Sequence, residues 1–503
     1  MIRLNRHHFS LRGRRGTLGL LLLAVVLFSN HRPASGQTIA LTVSSKAGDR
    51  LTDKPPLTFG SGAAPAGPAF RIDESVRHQT IVGFGASLLE AGLVCINSLS
   101  SDQQEAVLRK VFDPKEGAGF SAMKTVLAGT DFMSGGPWYT YDTTPGDVEM
   151  RHFTIERDLG PTGLVTFIRR ARKHGSFVLQ APMDYPPDWM LVEVDNRAKQ
   201  NVDPKYYDAL TLYYLRYLQE YAKQGIVIDY LSLFNEPGVY SKIPYENIRD
   251  LLKNHVGPRF AKEGVTTKIM LSEACTRADA HRLYPTLLDD PEARKYVAAL
   301  PYHGYDLKNF DKIAALHARY PDLPLWMTEI CHFRMNVPKV DNLPRHDFED
   351  GDFWGNQILS DVEAGASAWI YWNLVLDEKG GPCLVSPVHG NPEFNIQHPV
   401  VIVNRQTKEV TYTGCYYYLA HFSKFVRPGA VCVETTGSIP GVRCIAFAAP
   451  NKSLVAQLLN RSGKEVDARL AWHDRSVRVS LPPLSITTCR WTTDRATREI
   501  FPR

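Results

Sequence analysis

Residues 206–236 read YYDALTLYYLRYLQEYAKQGIVIDYLSLFNE and combine two patterns. In the first part Tyr and Leu recur at three- and four-residue spacing up to Gly225, which predicts an amphipathic helix over residues 204–223 whose tyrosines pack inward. The apolar run at 228–236 predicts a buried strand that ends in Asn235-Glu236. A helix that leads into a buried strand is typical of a parallel α/β sheet.

The same alternation continues on both sides of this stretch, from residue 76 to residue 394. Short apolar runs predict eight strands, at residues 81–87, 121–127, 176–182, 228–236, 268–274, 297–305, 323–329 and 366–373. Amphipathic segments separate these runs. We therefore expect an α/β fold, a (β/α)₈ barrel that carries the catalytic site.

The two flanks of the predicted barrel have strand patterns instead. Residues 37–75 contain TIALTVSS and a linker rich in Thr, Ser, Gly and Pro, which indicates one or two strands. From residue 395 to 503 alternating segments such as VVIVN, EVTYTG, AVCVETT and VRCIAFAA follow one another closely. Short, regularly spaced strands predict a β-sandwich, and we expect the early strands to join it, so that both chain ends build one side domain.

Residues 1–36 have the pattern of a cleavable signal peptide. Five arginines precede an apolar run at 18–28, and Ala34-Ser35-Gly36 follows it. The apolar run is shorter than the roughly 20 residues that span a bilayer, and no later segment reaches that length. The sequence thus predicts secretion or export to a periplasm, with an uncleaved anchor as the alternative.

Removing residues 1–36 takes away six arginines and no acidic residue, so the net charge falls from +5 to −1. A nearly neutral chain lacks the clustered basic patch that nucleic-acid binding requires, and this excludes that class of protein. The sequence leaves the oligomeric state open.

The eight cysteines are few for 503 residues, so no disulfide framework is expected to carry the fold. Cys432 and Cys444 flank a predicted hairpin and are either a disulfide pair or two unpaired core thiols. No Cys/His spacing resembles a zinc site, and Cys331-His332 is a simple neighbour pair. We therefore predict no metal.

In a barrel of this type the reacting groups lie at the carboxyl ends of the strands. The polar residues at or just past these ends are Asp131, Asp184, Asn235, Glu236, His303, Tyr305, Glu329, Trp372 and Asn373. Glu236 and Glu329, at strands four and seven, are expected to face each other across the barrel mouth. Retaining glycoside hydrolysis needs two such carboxyl groups about 5–5.5 Å apart.

The pair predicts a role for each member. Glu236 fits the acid/base, whose pKa a partly apolar site and a charged neighbour raise, and Glu329 fits the nucleophile. Trp372 either stacks on a sugar face or belongs to the core. His303 and Tyr305 either bind the nucleophile or a sugar hydroxyl, or belong to a buried structural network.

Several longer motifs carry a family resemblance. VGFGASLLEAG, TDFMSGGPWYTYDTTPGD, SLFNEPG, ALPYHGYD, WMTEICHF, WIYWNLVLDEKGGP and YYYLAHFSKFVRPGA follow one another over most of the chain. At these residues the sequence resembles the glucosylceramidase group of glycoside hydrolase family 30.

The resemblance implies a retaining, exo-acting β-glycosidase with no metal or organic cofactor. It makes Glu236 the acid/base, Glu329 the nucleophile, and Asn235 the partner of the sugar 2-hydroxyl. It also implies that Tyr305 contacts Glu329. The residues that it places around the terminal sugar are Asp131, Trp189 and Trp372.

Two positions depart from the family pattern. Asp184, five residues before Trp189, replaces the family's sugar-contacting Trp, and a carboxylate offers a charge and acceptors where an indole offers a flat apolar face. Lys124 replaces the family's Arg near the nucleophile, and an ammonium cannot form the planar bidentate hydrogen bonds to two oxygens that a guanidinium forms. The stretch at 383–403 is also longer than the family's.

The sequence therefore predicts hydrolysis of a β-linked terminal sugar from a glycolipid or short glycoside, with glucosylceramide as the family-based substrate. A second hypothesis is a related activity, β-xylosidase, β-fucosidase or endo-β-1,6-glucanase, which Asp184 favours. A third, from another class, is a non-catalytic carbohydrate-binding protein, and the presence of both Glu236 and Glu329 argues against it.

Overall fold

The computed structural model describes residues 37–60, 67–194, 197–239, 243–332, 344–382 and 395–493. The predicted signal peptide at 1–36 and most of the long stretch at 383–403 lie outside these residues. In the described part no helix combines the length and the apolar composition needed to cross a membrane.

The strands of the described residues follow in chain order. They are β1 (Thr38–Ser45), β2 (Thr52–Thr58), β3 (Phe70–Thr80), β4 (Gly83–Ser87), β5 (Ala122–Lys124), β6 (Val178–Pro182), β7 (Leu191–Val194), β8 (Arg197–Val202), β9 (Tyr230–Ser232), β10 (Lys268–Met270), β11 (Val297–His303), β12 (Leu325–Glu329), β13 (Ala366–Asn373), β14 (Val375–Asp377), β15 (Val401–Val403), β16 (Val410–Tyr412), β17 (Val431–Thr436), β18 (Val442–Ala448), β19 (Ser453–Asn460), β20 (Val466–Trp472), β21 (Arg475–Leu481) and β22 (Ser485–Thr492).

The helices lie mostly between the strands of the barrel. They are α1 (Glu90–Asn97), α2 (Ser101–Phe112), α3 (Leu164–Arg172), α4 (Tyr207–Lys223), α5 (Tyr245–Leu251), α6 (Gly257–Glu263), α7 (Arg277–Leu283), α8 (Pro285–Leu288), α9 (Pro291–Arg294), α10 (Phe310–Arg319), α11 (Phe348–Glu363) and α12 (Gly414–Phe425). A π-helical turn, Leu252–Val256, joins α5 to α6, and short 3₁₀ turns occur at Glu156–Leu159, Asp188–Met190 and Pro204–Tyr206.

The barrel has the predicted eight parallel strands, in the order β4-β5-β6-β9-β10-β11-β12-β13, and β13 pairs with β4 to close it. Each of the eight predicted runs supplies one strand. A cluster of buried residues from these strands packs separately from the main core: Ala122, Met270, Ala299, Trp326, Ala368 and Ile370. Helix α4 covers the predicted helix, and its tyrosines pack inward as expected, with Tyr213, Tyr214, Tyr217 and Tyr221 buried.

Both ends of the chain build the side domain, as predicted. One nine-stranded sheet has the order β2-β1-β22-β19-β18-β17-β3-β20-β21. Gly60, just after β2, bridges Ser476 in β21, so the two edges of the sheet approach each other. Side chains from both halves of the sheet, among them Phe59, Trp472 and Trp491, share one apolar core, which makes the domain a sandwich.

The segment from residue 395 to 426 differs from the sequence prediction. VVIVN and EVTYTG contain β15 and β16, which pair with β14 in a small three-stranded sheet instead of joining the sandwich. YYYLAHF lies in α12, a helix that Thr413 caps and that packs on β4. The apolar residues Tyr416, Leu419 and Phe422 recur at helical spacing and are all buried.

Cys432 and Cys444 are two unpaired core thiols, the second of the two expectations. Cys432 in β17 stands opposite Phe447 of β18, so Cys444 is offset by three residues along that strand. Both are buried, and each cysteine in the described part of the chain is a free thiol.

Candidate active site

Glu236 follows β9 at the carboxyl end of the barrel. Its backbone has φ +44°, in the left-handed region that side chains other than glycine seldom adopt. The Glu236 N–H donates to the Glu273 carbonyl at 2.9 Å, and the Asn235 N–H donates to the Met183 carbonyl at 2.8 Å. Neighbouring strands thus hold Glu236 in a strained conformation, a feature that concentrates at functional sites.

Glu329 is the last residue of β12, and its carboxyl group is buried. Lys124 Nζ donates to Oε2 at 2.7 Å, and the Tyr305 hydroxyl donates to Oε1 at 2.9 Å. Burial raises the pKa of Glu329; His303 and Lys124 oppose this, and the charge of Glu236 adds to it.

His303 joins the carboxyl groups of the site. Its Nδ1 lies 2.7 Å from Glu236 Oε1, and its Nε2 lies 2.8 Å from Glu273 Oε2 and 3.6 Å from Glu329 Oε2. Burial lowers the pKa of His303, but the surrounding carboxylates outweigh it and raise the pKa to about 9. At neutral pH both ring nitrogens therefore carry a proton and donate to carboxylate oxygens.

Glu273 is a third carboxylate of the site, and sequence reasoning missed it. Oε2 accepts from Lys124 at 2.9 Å and from the Thr328 hydroxyl at 2.7 Å, and Oε1 accepts from the Gln180 amide. Burial raises the pKa of Glu273, but Lys124 and His303 overcome this and hold the pKa well below its usual range. A signal existed, because Glu273 is the last polar residue of the predicted strand KIMLSEA, one position before its end.

Three carboxyl groups here share two cationic side chains, Lys124 and His303. The negative charge of Glu236 is one of the causes that raise the pKa of Glu329. Lys124 and Tyr305 both donate to Glu329, which stabilises its charged form.

Most of the predicted site residues lie around this cluster. They are Lys124, Asp131, Asp184, Asn235, Glu236, His303, Tyr305, Glu329 and Trp372. Lys124 Nζ lies 3.5 Å from the Asn235 side-chain oxygen and 5.0 Å from the centre of a Trp372 ring. This places the indole of Trp372 against the site and not in a remote part of the core.

Asp131 and Asp184 form the acidic side of the site. Asp131 accepts from Thr130 at 3.0 Å and from Asn395 Nδ2 at 2.6 Å. Asp184 is 3% exposed, and its Oδ1 has no hydrogen-bond partner. Burial raises the pKa of Asp184 well above its usual range, since the opposing effect of Lys124 is smaller.

The segment before β15 supplies two site residues that the sequence did not indicate. Gln397 donates to the Asn395 side-chain oxygen at 2.8 Å and accepts from Asn373 Nδ2 at 2.5 Å and from Cys331 Sγ at 3.2 Å. Asn395 in turn donates a hydrogen bond from its side-chain amide to Asp131 Oδ2. They lie in the stretch that departs from the family pattern, so the motifs could not identify them.

Trp189 is outside this group. It lies on the 3₁₀ turn after β6, where its indole N–H donates to the Asp142 carbonyl at 3.2 Å and its ring packs edge-on against Tyr206. Among the described residues these partners belong to the barrel rim and not to the carboxylate cluster.

The site also offers ligand atoms for a cation. One atom each of Glu236, His303 and Glu329 lie within 4.8 Å of one another. Lys124 already donates to Glu329 from 2.7 Å, and a second cation beside its ammonium would be repelled. The arrangement therefore fits acid/base and nucleophilic chemistry better than metal binding.

Two domain models of one family match the chain in order. The model described as "Glycosyl hydrolase family 30 TIM-barrel domain" matches residues 81–426. The model described as "Glycosyl hydrolase family 30 beta sandwich domain" matches residues 429–489. The first match begins just before β4 and ends just after α12, so it includes the segment that the structure assigns to the barrel.

Curated relatives and solved structures agree with these matches. "Endo-1,6-beta-D-glucanase" of Neurospora crassa is 29% identical over 414 residues, which are 78% of this chain and 81% of that one. "Lysosomal acid glucosylceramidase" of Mus musculus is 26% identical over 443 residues, 82% of each chain. The structure of "the endo-beta1,6-glucanase BT3312" superposes with a TM-score of 0.77 at 23% identity, covering 91% of this chain and 99% of that one.

The structure of SrfJ from Salmonella typhimurium superposes with a TM-score of 0.81 at 21% identity, covering 91% of this chain and 100% of that one. At such identities these two likenesses show a shared fold. Because the barrel model alone matches more than half of the chain and the sandwich model follows it in order, this chain is a glycoside hydrolase that belongs to family 30.

Proposed function

We propose that this chain is an exported, retaining exo-β-glycosidase that removes a β-linked terminal sugar from a glycolipid or short glycoside. Glu329 is the nucleophile and Glu236 the acid/base. The export part of the proposal rests on the signal-peptide pattern of residues 1–36.

The observation that carries the retaining mechanism is the separation of the two carboxyl groups. An oxygen of Glu236 and an oxygen of Glu329 lie within 4.8 Å of each other. Retaining enzymes hold their carboxyl groups about 5–5.5 Å apart, whereas inverting enzymes need about 6.5–9.5 Å to admit a water molecule between them and the sugar. The shorter separation favours direct attack by Glu329.

In the first step an oxygen of Glu329 attacks the anomeric carbon, and the bond from that carbon to the leaving oxygen breaks. The leaving oxygen keeps the electron pair and takes the proton of Glu236. In the second step the Glu236 carboxylate takes a proton from water, whose oxygen attacks the anomeric carbon and displaces Glu329. Both carboxyl groups then return to their starting states.

His303 and Tyr305 support these steps from fixed positions. The protonated ring of His303 donates to Glu236 and stabilises the carboxylate that forms when Glu236 loses its proton. The Tyr305 hydroxyl donates to Glu329 and holds the attacking oxygen in place. Both side chains therefore act on the reacting carboxyl groups directly.

The exo part of the proposal rests on the acidic side of the site. Asp131, Asp184 and Asn395 are all buried and offer acceptors and donors to the hydroxyl groups of a terminal sugar. Glucosylceramide is the substrate that the murine relative's name favours. Endo-β-1,6-glucanase activity is the second candidate, because the Neurospora crassa relative carries that name at a similar identity.

Three variants test the mechanism with an aryl β-glycoside that the wild type cleaves. Glu329→Gln is expected to abolish turnover, and Glu236→Ala to leave slow hydrolysis that azide accelerates, because a small anion attacks the glycosyl-enzyme without base assistance. Asp352→Asn is the matched control, since Asp352 pairs with Arg461 at 3.1 Å away from the site. Normal turnover by Glu329→Gln would show that Glu329 is not the nucleophile. A Glu236→Ala variant with the wild-type rate and no azide response would show that Glu236 is not the acid/base.

Proton NMR of the first-formed anomer tests retention, because a retaining enzyme releases the β-anomer first. A substrate panel then separates the candidate activities: aryl β-glucoside, β-xyloside and β-fucoside, glucosylceramide in detergent, and β-1,6-glucan. Release of single sugars from the glycosides or the glycolipid supports exo action. If the enzyme releases oligosaccharides from β-1,6-glucan and leaves the glycosides intact, the proposal of exo action is wrong and endo-β-1,6-glucanase activity takes its place.

A further inference from the structure

A second buried group of ionisable side chains lies beside the site, on three separate segments. His332 follows β12, three residues after Glu329; Asp350 is the third residue of α11; and His398 lies just before β15. Their exposed fractions are 5%, 1% and 1%. One ligand atom from each of the three residues lies within 4.8 Å of the others.

Each of the three side chains keeps one buried polar atom without a hydrogen-bond partner: His332 Nδ1, Asp350 Oδ1 and His398 Nε2. His332 Nδ1 and Asp350 Oδ1 are 3.2 Å apart, without hydrogen-bond geometry. Buried polar atoms nearly always have a partner, and three unpartnered ones at one point indicate a missing shared partner.

We propose that His332, Asp350 and His398 bind one divalent transition-metal ion, with Zn²⁺ the best match. Two imidazole nitrogens and one carboxylate oxygen are ligands that Zn²⁺ takes at about 2.0–2.2 Å, with water in the fourth position. Tetrahedral bonds of that length place ligand atoms about 3.3 Å apart. The 3.2 Å between His332 Nδ1 and Asp350 Oδ1 meets this value without any movement.

The surroundings orient the ligands as metal sites require. Trp354 Nε1 donates to the other oxygen of Asp350 at 3.0 Å, which points Oδ1 inward. The His398 backbone N–H donates to the His332 carbonyl at 3.1 Å, so the two histidines are held together. The rings of Phe353 and Trp354 pack against His332, with centroids 4.7 and 4.5 Å away. Such outer contacts fix the ligand geometry before the metal binds.

Two contacts of Arg345 bear on the site. Its guanidinium lies 3.9 Å from Asp350 Oδ1, but it is paired with Asp347 at 2.8 Å, which offsets its charge. Its backbone N–H donates to His398 Nδ1 at 3.3 Å. Binding through Nε2 moves the ring proton to Nδ1, so this long contact opens when the metal enters.

The ion would link two segments that lie apart along the chain. It joins the segment after Glu329 to the segment that carries Asn395 and Gln397, and Asn395 holds Asp131. The sequence spacing hides this group, because 18 and 48 residues separate its members along the chain. The proposal does not depend on the proposed glycosidase activity.

Metal retention by the purified full chain tests the proposal. The protein is stripped with a chelator, dialysed against Zn²⁺ or Co²⁺, freed of excess metal, and measured by elemental analysis. Wild type is expected to retain one equivalent, and its melting temperature is expected to rise with added Zn²⁺. His332→Ala, His398→Gln and Asp350→Asn are each expected to lose the equivalent and the rise. His281→Asn, a histidine on α7 far along the chain, is the matched control and is expected to keep both.

Glu329→Gln distinguishes this site from the carboxylate cluster, and it is expected to retain the full equivalent. The Co²⁺ form gives a readout in wild type that needs no variant to fold, a visible spectrum of tetrahedral nitrogen and oxygen ligation. Loss of the metal in Glu329→Gln with retention in His332→Ala would assign the ion to the other cluster and overturn the proposal. A wild type that retains neither ion, with a melting temperature unchanged by Zn²⁺, would also overturn it.

Discussion

Replacing Glu273 by glutamine tests whether this carboxylate keeps His303 protonated. Glu273 lies 2.8 Å from the Nε2 of His303 and 2.9 Å from Lys124 Nζ. Glutamine has nearly the same shape and removes the negative charge. Glu273 is a positioning residue in this account, because it acts on the reacting carboxyl groups only through His303 and Lys124.

The size of the effect follows from the hydrogen bond that loses its charge. A hydrogen bond to a charged group contributes about 1.5–3 kcal/mol, and one pKa unit corresponds to about 1.4 kcal/mol. The pKa of His303 is therefore expected to fall by roughly 1–2 units from its value of about 9. Because the protonated ring stabilises the Glu236 carboxylate, activity should fall at a correspondingly lower pH on the alkaline side.

The assay is the pH profile of kcat/KM between pH 4 and 10 with an aryl β-glycoside. Asp361→Asn is the matched control: Asp361 is equally buried and pairs with Arg277 at 2.7 Å, outside the carboxylate cluster. It should cost stability, about 3 kcal/mol for a broken buried pair, without moving the alkaline limb. An alkaline limb of Glu273→Gln that coincides with that of the wild type would refute the reasoning, as would an equal shift in Asp361→Asn.

Three further outcomes are expected. Lys124→Met removes the ammonium that stabilises the charged form of Glu329. We expect kcat to fall by roughly 10–100-fold and the acid limb of the kcat profile to move to higher pH. An unchanged acid limb would contradict this. Asp184→Asn should leave the free energy of unfolding from urea titration within about 1 kcal/mol of wild type at pH 7, because burial raises the pKa of Asp184 and so disfavours its charged form, and a larger loss would contradict this. The pKa of His303 is about 9 in the folded chain against 6.5 unfolded. The protonated ring therefore adds about 3 kcal/mol to the free energy of unfolding, fully below pH 6.5 and no longer above pH 9. Urea titrations of wild type and His303→Asn should converge above that pH.

The barrel and the meeting of Glu236 and Glu329 could be predicted because both depend on local patterns. Short apolar runs between amphipathic helices indicate βα units, and the sequence shows which residue stands at the carboxyl end of each run. The polar residues at those ends must meet at one face of the barrel, which brings Glu236 and Glu329 together without any knowledge of side-chain contacts. Glu273 obeys the same rule and was predictable on the same grounds.

Other assignments failed because local pattern and environment disagree. The run around Tyr416 and Phe422 forms helix α12, and Phe422 packs against Phe84 of the barrel strand β4. β15 and β16 alternate like sandwich strands, but β15 pairs with β14 and β16 pairs with β15 in a separate three-stranded sheet. The predicted sugar contact of Trp189 stays a prediction, and its contacts in the structure are with Tyr206 and Asp142.

The sequence by itself determined the (β/α)₈ barrel, the use of both chain ends in the side domain, and the two carboxylates at strands four and seven. All three follow from hydrophobic periodicity and from the order of the predicted strands along the chain. Only the tertiary structure decided the charge states around them. The pKa of His303 depends on carboxylates 30 and 67 residues away along the chain. The group formed by His332, Asp350 and His398 is likewise assembled by folding, since burial and distance between remote residues have no signature in sequence spacing.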